Sequence, residues 1–522
     1  MTLVLLVSAF IVATGNMAFF TRLEEAYPLA QGYAPFLLST VLVQISFLAM
    51  VLSLVCVGRF VKPVLALTLL IAAAISCIQD GFGVVIDEAV LRSVIATDKR
   101  EATELFSLSM GLRMLLQGVI AATIVMLVRL RIPDFRHHLV ATSGTVGIGF
   151  LVIVMCFAMF SATYISFFRE HKIVRYYSNP LSALHALAGT VTAAANDMAA
   201  NKSLTVIAQD VVLTDRTRPR LVVMVVGEAA RARNSSVNGY ERNTNPFLGK
   251  RDVFSFQHMT SCGTATAVSV PCLFSALPRR DFSVEDALVQ ENLLDIAQRS
   301  GVSVLWRDNN SDSKGVALRV PYQDFKHEDI NPICDPECRD VGMLTDLQGF
   351  IDSSSDKDLL IVLHQMGSHG PAYYRRYPEV FEMFSPVCKD NELSACSDET
   401  IRNAYDNSIR YTDYFLDAVI KLLVANENSR DTAMVYVGDH GESLGEYGIY
   451  LHGMPYSLAP AEQTEVPLVL WFGNGFPVDR SALRIQIEKP ASHDAIFATM
   501  LELLGITSNE LHLQTSLVQV SD

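Results

Sequence analysis

The chain has 522 residues, which is long enough for more than one domain, and half of them are hydrophobic. Its mean hydropathy of +0.28 is too high for an ordinary soluble enzyme, and the apolar excess is concentrated in the first 170 residues. The formal net charge of -14 argues against nucleic acid as a partner, because a surface that follows phosphates needs an excess of Lys and Arg.

Five apolar segments predict membrane-spanning helices at about residues 2–21, 34–58, 61–79, 107–128 and 139–161. The first resembles a signal peptide, but it lacks a basic start and further apolar runs follow it. Arg59 and Lys62 lie between the second and third segments, and arginines also separate the fourth and fifth, whereas the other two loops are acidic. The positive-inside rule therefore puts the N-terminus in the cytoplasm and residues from about 165 onward outside.

These segments divide the chain into three predicted regions. Residues 1–164 form a transmembrane domain, whose outward loop at 80–106 is either a connector or a platform for a lipid headgroup. Residues 165–218 mix aromatic and basic residues, which favours bridging helices at the membrane interface, including an amphipathic helix at 181–203. Residues 219–522 form a catalytic α/β domain.

Strands and helices alternate in the predicted catalytic domain. Near-continuous apolar runs predict buried strands at 221–227, 302–306, 358–364, 432–438 and 466–472, and helices are expected at about 400–425 and 493–504. This alternation is typical of a doubly wound α/β sheet.

The cysteines separate into two groups. Cys56, Cys77 and Cys156 lie in apolar runs, whereas the other six form close pairs in the C-terminal part: Cys262/Cys272, Cys334/Cys338 and Cys388/Cys396. Adjacent pairing predicts three disulfides and an oxidising compartment, in agreement with the outside location. A zinc site built from these cysteines is the alternative, but their spacings do not match common zinc templates.

Polar residues cluster where the predicted strands end, which is where open α/β sheets bind ligands. Glu228 follows the first strand, and Asp439 and His440 follow the fourth. His369 follows the third strand, and His452 lies in the loop YLHGMP. Asn310 and Lys314 follow the strand at 302–306.

The stretch TSCGTATAVSVPCLFSAL at 260–277 has the features of a nucleophile at the start of a helix, supported by a disulfide. Thr266, Glu228, Asp439 and His440 together offer a set of ligands that suits Zn²⁺, with manganese as an alternative. A metal bound to the threonine oxygen would lower its pKa. His369 and His452 could bind a second metal or a phosphate, or protonate a leaving group, and Lys314 could neutralise phosphate charge.

Each residue also has a structural interpretation. The Asp-His pair could be purely structural, Glu228 a carboxylate at a helix start, Thr266 an N-cap, and each histidine a surface residue. Because all of them fall at the same edge of one predicted sheet, we predict an outward-facing metal site.

The segments VVGEAARARNSSVNGYERNTNP, SCGTATAVSVPCLFS, WRDNNSDSKG, HQMGSHGPAYYRRYP and GDHGESLGEYGIYLHG are similar to those of lipid A phosphoethanolamine transferases. That family includes the mobile colistin-resistance enzymes and belongs to the alkaline phosphatase-like superfamily. The resemblance extends over nearly the whole chain. It implies a five-span α-helical membrane domain and an α/β alkaline phosphatase/sulfatase-like soluble domain.

The resemblance also implies roles for particular residues. Thr266 would receive the phosphoethanolamine, and Glu228, Thr266, Asp439 and His440 would bind zinc. His369 and His452 would surround the phosphate or a further zinc ion, and Asn310 and Lys314 would bind the headgroup. Thr97 and Glu101 fit substrate-binding positions in the loop at 80–106, although Ser93 stands where relatives commonly have Asn.

The implied reaction moves phosphoethanolamine from phosphatidylethanolamine to a phosphate of lipid A through a covalent intermediate on threonine. The enzyme would be a multi-pass protein of the inner membrane with its catalytic domain in the periplasm, and we expect a monomer. Reduced negative charge on lipid A would weaken binding of polymyxins and other cationic peptides. The alternative acceptor is Kdo or heptose of the lipopolysaccharide core, or another glycan.

Two other classes of function are less consistent with the sequence. A sulfatase-type hydrolase would carry Cys or Ser in a distinct motif that is absent from the sequence. A non-enzymatic membrane sensor would not need the complete set of ligands.

Overall fold

The computed structural model describes residues 1–87, 90–91, 94, 99–130, 134–180, 204–511 and 515–521. The chain divides into two compact units: Met1–Leu91 with Phe106–Thr192, and Arg92–Leu105 with Ala193–Asp522. The short stretch Arg92–Leu105 lies in sequence between two apolar helices of the first unit, but its contacts place it in the second unit. The predicted amphipathic helix at 181–203 lies outside the described residues.

Apolar helices build the first unit. Within the described residues, those long and apolar enough to cross a membrane are Ala34–Val55, Gly58–Phe82, Leu108–Leu127 and Arg136–Met159, and the bent pair Thr2–Gly15 and Met17–Ala26 would make a fifth. The third of these is π-helical over Met114–Ile120, and the unit continues with Ser161–Glu170 and Lys172–Tyr176. The predicted spans therefore correspond to helices, with one difference in the first.

That first span is a pair of helices bent by 63° at Asn16, whereas one helix was predicted over about residues 2–21. The Asn16 amide donates to the carbonyls of Ile11 at 3.2 Å and Asn179 at 3.0 Å. The Asn179 amide in turn donates to the Gly15 carbonyl at 2.7 Å. These two side chains satisfy backbone groups that a break would otherwise leave unpaired in apolar surroundings. Hydropathy alone does not report such a bend.

The strands lie in the second unit. In chain order they are β1 (Val212–Leu213), β2 (Arg220–Gly227), β3 (Val253–Ser255), β4 (Met259–Thr260), β5 (Ser303–Asp308), β6 (Tyr322–Asp324), β7 (Leu359–His364), β8 (Asp431–Gly438), β9 (Ser443–Leu444), β10 (Tyr450–Leu451), β11 (Leu468–Phe472), β12 (Ala491–Ser492) and β13 (Ile506–Thr507). A mixed sheet has the order β3-β11-β8-β2-β7-β5-β6. The pairs β1–β13, β9–β10 and β4–β12 stand apart from it.

The five predicted strands are present as β2, β5, β7, β8 and β11. From β8 to β6 the strands of the sheet run parallel, whereas β11 is antiparallel to both β8 and β3. An apolar run shows that a strand is buried but not which way it runs, so the sequence did not reveal this reversal. The short strands β3 and β6 lack such a run and were not predicted.

Helices cover both faces of the sheet. In the second unit the α-helices are Lys99–Leu105, Thr266–Leu273, Val284–Leu288, Leu293–Arg299, Leu347–Ser353, Asp398–Asn426, Ala461–Thr464, Arg480–Gln486 and Ile496–Leu504. Side chains 222, 224 and 226 of β2 share one apolar cluster with Leu293–Arg299 and Ile496–Leu504, and 221, 223 and 225 share another with Asp398–Asn426. Each large apolar side chain so buried contributes roughly 1.5–3 kcal/mol. Packing on both faces holds the ends of the strands in fixed positions. It also confirms the predicted α/β fold of this unit.

The six cysteines of the second unit form the disulfides Cys262–Cys272, Cys334–Cys338 and Cys388–Cys396. This is the pairing that adjacency in sequence predicts, so these thiols are not available as metal ligands. Cys56, Cys77 and Cys156 are free thiols of the first unit.

Candidate active site

The candidate site lies where the central strands of the sheet end. β2 and β8 are paired to their last residues, with Gly227 beside Gly438, so Glu228 and Asp439 begin side by side. The Asp439 amide donates to the Gly227 carbonyl at 2.8 Å, and on the β7 side the Ser368 amide donates to the Glu228 carbonyl at 3.1 Å. Strand register therefore brings together residues that are far apart in the sequence.

Thr266 is the first residue of the helix Thr266–Leu273 and is only 8% exposed. Its hydroxyl donates to Glu228 Oε2 at 2.9 Å, and Oγ1 lies 3.1 Å from His440 Nε2. One turn later the Ser269 hydroxyl donates to the Asp439 carbonyl, which ties the helix to the end of β8. The positive end of the helix dipole favours negative charge at Thr266. A hydroxyl in this environment can act as a nucleophile.

Glu228, Asp439 and His440 form a compact group of candidate metal ligands, whose atoms all lie within 4.8 Å of one another. Glu228 Oε1 and Asp439 Oδ2 are buried and accept no hydrogen bond from the described residues, and they lie 3.3 and 3.4 Å from His440 Nε2. His440 Nδ1 donates to the Gly441 carbonyl at 2.8 Å, which orients Nε2 toward the carboxylates. These oxygen and nitrogen donors fit a divalent cation.

The electrostatics of the group also fit a cation. Burial opposes ionisation of Glu228, but His440 holds the pKa of this carboxyl well below its usual range. Burial and the neighbouring Glu228 raise the pKa of Asp439 to about 7. Burial disfavours an imidazolium at His440, yet the two carboxylates raise its pKa to about 10. The two buried carboxyls thus raise the pKa of His440, and a shared cation would stabilise both carboxylates in their charged form.

His369 and His452 line the same site. They form candidate ligand groups with Glu228, and His452 does so with His440 and Glu442. The ring of His452 lies 4.2 Å from that of His440 and 5.6 Å from that of His369. Glu442, which was not predicted as a site residue, binds His452 Nδ1 at 2.7 Å and accepts the Tyr373 hydroxyl at 2.7 Å. Its place in the segment GDHGE was the available signal.

Asn310 and Lys314 have different surroundings. The Asn310 amide donates to Glu228 Oε2 at 2.8 Å and to the Gln365 carbonyl at 2.7 Å, so it orients a candidate ligand. Lys314 Nζ donates to the backbone carbonyl and the hydroxyl of Ser311, at 2.8 Å each. Thr97 lies outside the described residues, and Glu101 belongs to the helix Lys99–Leu105.

Two further histidines near the site were missed. His364 Nδ1 lies 2.9 Å from Asp308 Oδ2, and both side chains are fully buried at the ends of β7 and β5. His493 accepts the Cys262 amide at 3.1 Å and bonds the Gly438 carbonyl at 2.9 Å, and burial lowers its pKa to about 3. The neutral ring thus links the loop before Thr266 to β8. His364 and Asp308 lie at or just after the ends of predicted strands, so their position in the sequence could have indicated them. Nothing in the sequence around His493 indicates its contacts.

The sheet, the ligand group at its edge and the hydroxyl at a helix start define a sulfatase-like catalytic domain. The family model described as Sulfatase matches residues 220–506, and the one described as Phosphoethanolamine transferase EptA/EptB matches residues 44–195.

Two curated relatives span almost the whole chain. Phosphatidylethanolamine transferase Mcr-1 from Escherichia coli is 40% identical, covering 99% of this chain and 97% of its own length. Phosphoethanolamine transferase EptA from Escherichia coli (strain K12) is 36% identical, covering 99% and 96%. The chain therefore belongs to the phosphoethanolamine transferase family, as the sequence segments predicted.

A solved structure supports the same assignment. The integral membrane protein lipooligosaccharide phosphoethanolamine transferase A (EptA) from Neisseria meningitidis matches with a TM-score of 0.93 and 33% identity, covering 98% of this chain and 97% of its own. The predicted combination of a helical membrane part and an α/β catalytic part is thereby confirmed.

Proposed function

We propose that this enzyme transfers phosphoethanolamine from phosphatidylethanolamine to a phosphate of lipid A, with Thr266 as the residue that carries the group. The observation behind this proposal is the environment of Thr266, whose hydroxyl contacts both Glu228 and His440 at the start of a helix. Membership of the phosphoethanolamine transferase family supports the choice of donor.

We assign the metal site to Glu228, Thr266, Asp439 and His440, and zinc as its ion, since a set of carboxylate, hydroxyl and imidazole donors suits it. Zinc held there would lower the pKa of the Thr266 hydroxyl and neutralise charge on the phosphate oxygens. The second group of candidate ligands, around His369 and His452, is where a further ion or the phosphate itself would bind.

In the first step Thr266 Oγ1 bonds to the phosphorus of phosphatidylethanolamine, and the bond from phosphorus to the diacylglycerol oxygen breaks. The Thr266 proton passes to Glu228 Oε2, which already accepts its hydrogen bond. The departing oxygen takes a proton from His369 or His452, and diacylglycerol leaves. Phosphoethanolamine then remains bound to the threonine.

In the second step an oxygen of a lipid A phosphate bonds to the same phosphorus, and the bond to Thr266 Oγ1 breaks. Thr266 takes back its proton from Glu228, and the histidine that lost a proton regains one from the acceptor phosphate. Lys314 would offset charge on the phosphate oxygens during both steps. The enzyme is then ready for another donor.

The membrane helices and the disulfides support a proposal for the cellular location. Several helices can span a membrane, and the paired cysteines need an oxidising compartment. We therefore propose a location in the inner membrane with the catalytic unit in the periplasm, where both lipids are available. The added amine lowers the negative charge of lipid A and so weakens binding of polymyxins.

The proposal is tested by mass spectrometry of the purified enzyme with phosphatidylethanolamine and of lipid A from expressing cells. Wild type should carry a phosphoethanolamine adduct on Thr266 and modify lipid A phosphate. Thr266→Ala should do neither, and activity should fall by several orders of magnitude. Thr260→Ala, which removes an exposed hydroxyl from the same stretch, should behave like wild type.

An active Thr266→Ala variant without an adduct in wild type would reject the mechanism. Phosphoethanolamine found on a core sugar, with lipid A phosphates unmodified, would reject the acceptor but not the donor half-reaction.

A further inference from the structure

The side chain of Arg376 is completely buried and binds three separate segments of the second unit. Its Nε donates to the backbone carbonyl of His369 at 2.6 Å. One terminal nitrogen donates to Glu337 at 2.6 Å, and the two together form a bidentate pair with Glu104. Arg376, Glu104 and Glu337 have no part in the proposed transfer steps.

Glu104 comes from the helix Lys99–Leu105, which lies in sequence between the membrane helices Gly58–Phe82 and Leu108–Leu127. Its carboxyl is buried at 4% exposure. On the same helix, Arg100 donates to the Asn309 carbonyl at 3.2 Å and approaches the Met366 sulfur at 3.8 Å. The helix therefore contacts the loops that carry Asn310 and His369 at two points.

Glu337 is one of the three residues enclosed by the Cys334–Cys338 disulfide, so its backbone has little freedom. One guanidinium faces two buried carboxyls. Burial opposes the charge of Glu104, yet Arg376 lowers the pKa of this carboxyl, whereas burial and the other glutamate raise the pKa of Glu337. Glu104 forms the bidentate pair with the Arg376 guanidinium, and Glu337 accepts a further hydrogen bond from it.

A buried, bidentate ion pair of this kind adds little net stability and mainly fixes the relative positions of the groups it joins. Desolvation of the two charges offsets much of their attraction, whereas removal of one partner leaves an uncompensated charge. The fork of the guanidinium also fixes the direction of the bond from Nε to the His369 carbonyl.

We propose that Arg376 is a positioning residue that couples the helix Lys99–Leu105 to His369. Glu104 fixes the helix on the guanidinium, Glu337 holds the guanidinium against the disulfide loop, and the guanidinium holds the backbone of His369. The donor headgroup would then bind between a helix and a histidine whose separation is set by one side chain. This inference rests on the proposed role of His369 at the phosphate.

The test uses the full-length enzyme and three variants. Glu104→Gln keeps the shape of the side chain but removes its charge, Arg376→Lys keeps the charge but loses the fork, and Thr103→Ala alters an exposed position of the same helix. Two measurements are made: hydrogen exchange of peptides covering 99–105 and 366–371, and the kinetics with phosphatidylethanolamine.

Glu104→Gln should speed exchange in both peptides by about fivefold or more. Its KM should rise about tenfold or more, because a charged hydrogen bond is lost, while kcat changes much less. Arg376→Lys should raise KM and also lower kcat, because the bond to the His369 carbonyl is lost. Thr103→Ala should match wild type in every measurement.

The proposal is overturned if Glu104→Gln exchanges like wild type in peptide 366–371, or if its KM is unchanged. Should Arg376→Lys fail to fold, Glu104→Gln alone decides. If wild type proves unable to transfer phosphoethanolamine, the proposed function fails, but faster exchange in both peptides of Glu104→Gln still establishes the coupling.

Discussion

Glu442 holds one histidine of the site, His452, in a fixed orientation. It is fully buried, and its two oxygens bind His452 Nδ1 and the Tyr373 hydroxyl. The carboxylate therefore fixes both the ring orientation and the tautomer of His452, so that Nε2 is the nitrogen available to substrate or metal.

We expect Glu442→Gln to lower kcat by about 10- to 100-fold, because the amide replaces a charged acceptor of the His452 proton with a neutral group. The measurement is steady-state transfer to lipid A over a range of pH, since a tautomer change shifts the pH profile. Tyr373→Phe is the matched control, because it removes the other hydrogen bond and leaves the charge in place. Equal losses in the two variants, with unchanged pH profiles, would show that Glu442 has only a structural role.

Asn310 shows how a residue can be found by sequence and still have a different contact. Its position after a predicted strand and its family resemblance both indicated the site, and the headgroup was the expected partner. The amide donates to Glu228, a contact that was not predicted, because β5 is separated from β2 by β7 and the loop after β5 reaches back across the sheet. Whether it also contacts substrate stays a prediction.

At the scale of elements, the sequence predicted what depends on local pattern. Apolar runs located β2, β5, β7, β8 and β11, and strand ends located Glu228 and Asp439, because parallel neighbours end at one edge of a sheet. It did not predict features that depend on distant partners: the bend supported by Asn16 and Asn179, the reversed direction of β11, and the contacts of His493. Glu104 of the helix Lys99–Leu105 was missed for the same reason, because its partner Arg376 is 272 positions away in the sequence.

Asp413, on the long helix Asp398–Asn426, should make the stability of the protein depend on pH. The buried carboxyl accepts the amides of Phe247 at 2.7 Å and Leu248 at 3.0 Å, and burial raises its pKa to about 7. The folded protein therefore keeps this proton between about pH 4 and 7, where the unfolded chain has lost it. Stability should fall as pH rises through this window and be constant above it.

Asp413→Asn should remove that slope, which is about 1.4 kcal/mol for each pH unit at most. The measurement compares the free energy of unfolding of variant and wild type, by denaturant titration in detergent from pH 4.5 to 7.5. Asp417→Asn is the control on the same helix, because bonds to Lys421 and Arg251 lower the pKa of Asp417 despite burial. The effect of Asp417→Asn on the free energy of unfolding should be nearly constant over this pH range. If the effect of Asp417→Asn varied with pH and that of Asp413→Asn did not, the raised pKa of Asp413 would be contradicted.

At the scale of the whole molecule, removal of the proposed metal should destabilise the catalytic unit. Glu228 and Asp439 would then face each other in a fully buried site without a shared cation. An ion present at about 100 times its dissociation constant stabilises the folded state by about 2.7 kcal/mol. We therefore expect a chelator to lower Tm by several degrees and abolish transfer, and added zinc to restore both.

The control is Asp439→Asn, whose Tm should respond much less to the chelator. A fully metal-free enzyme, verified by elemental analysis, that kept its Tm and its activity would refute the metal site.

The central position of β8 in the sheet has a consequence for how the enzyme matures in the cell. Thr266 and Glu228 are synthesised well before His440, which lies 174 positions after the threonine. The Cys262–Cys272 disulfide closes a short loop around Thr266 and can form as soon as this segment has been synthesised. The carboxylate of Asp439 and the imidazole of His440 arrive only when β8 has inserted between β2 and β11. A metal held by these residues would therefore bind late in folding, only after the sheet is complete.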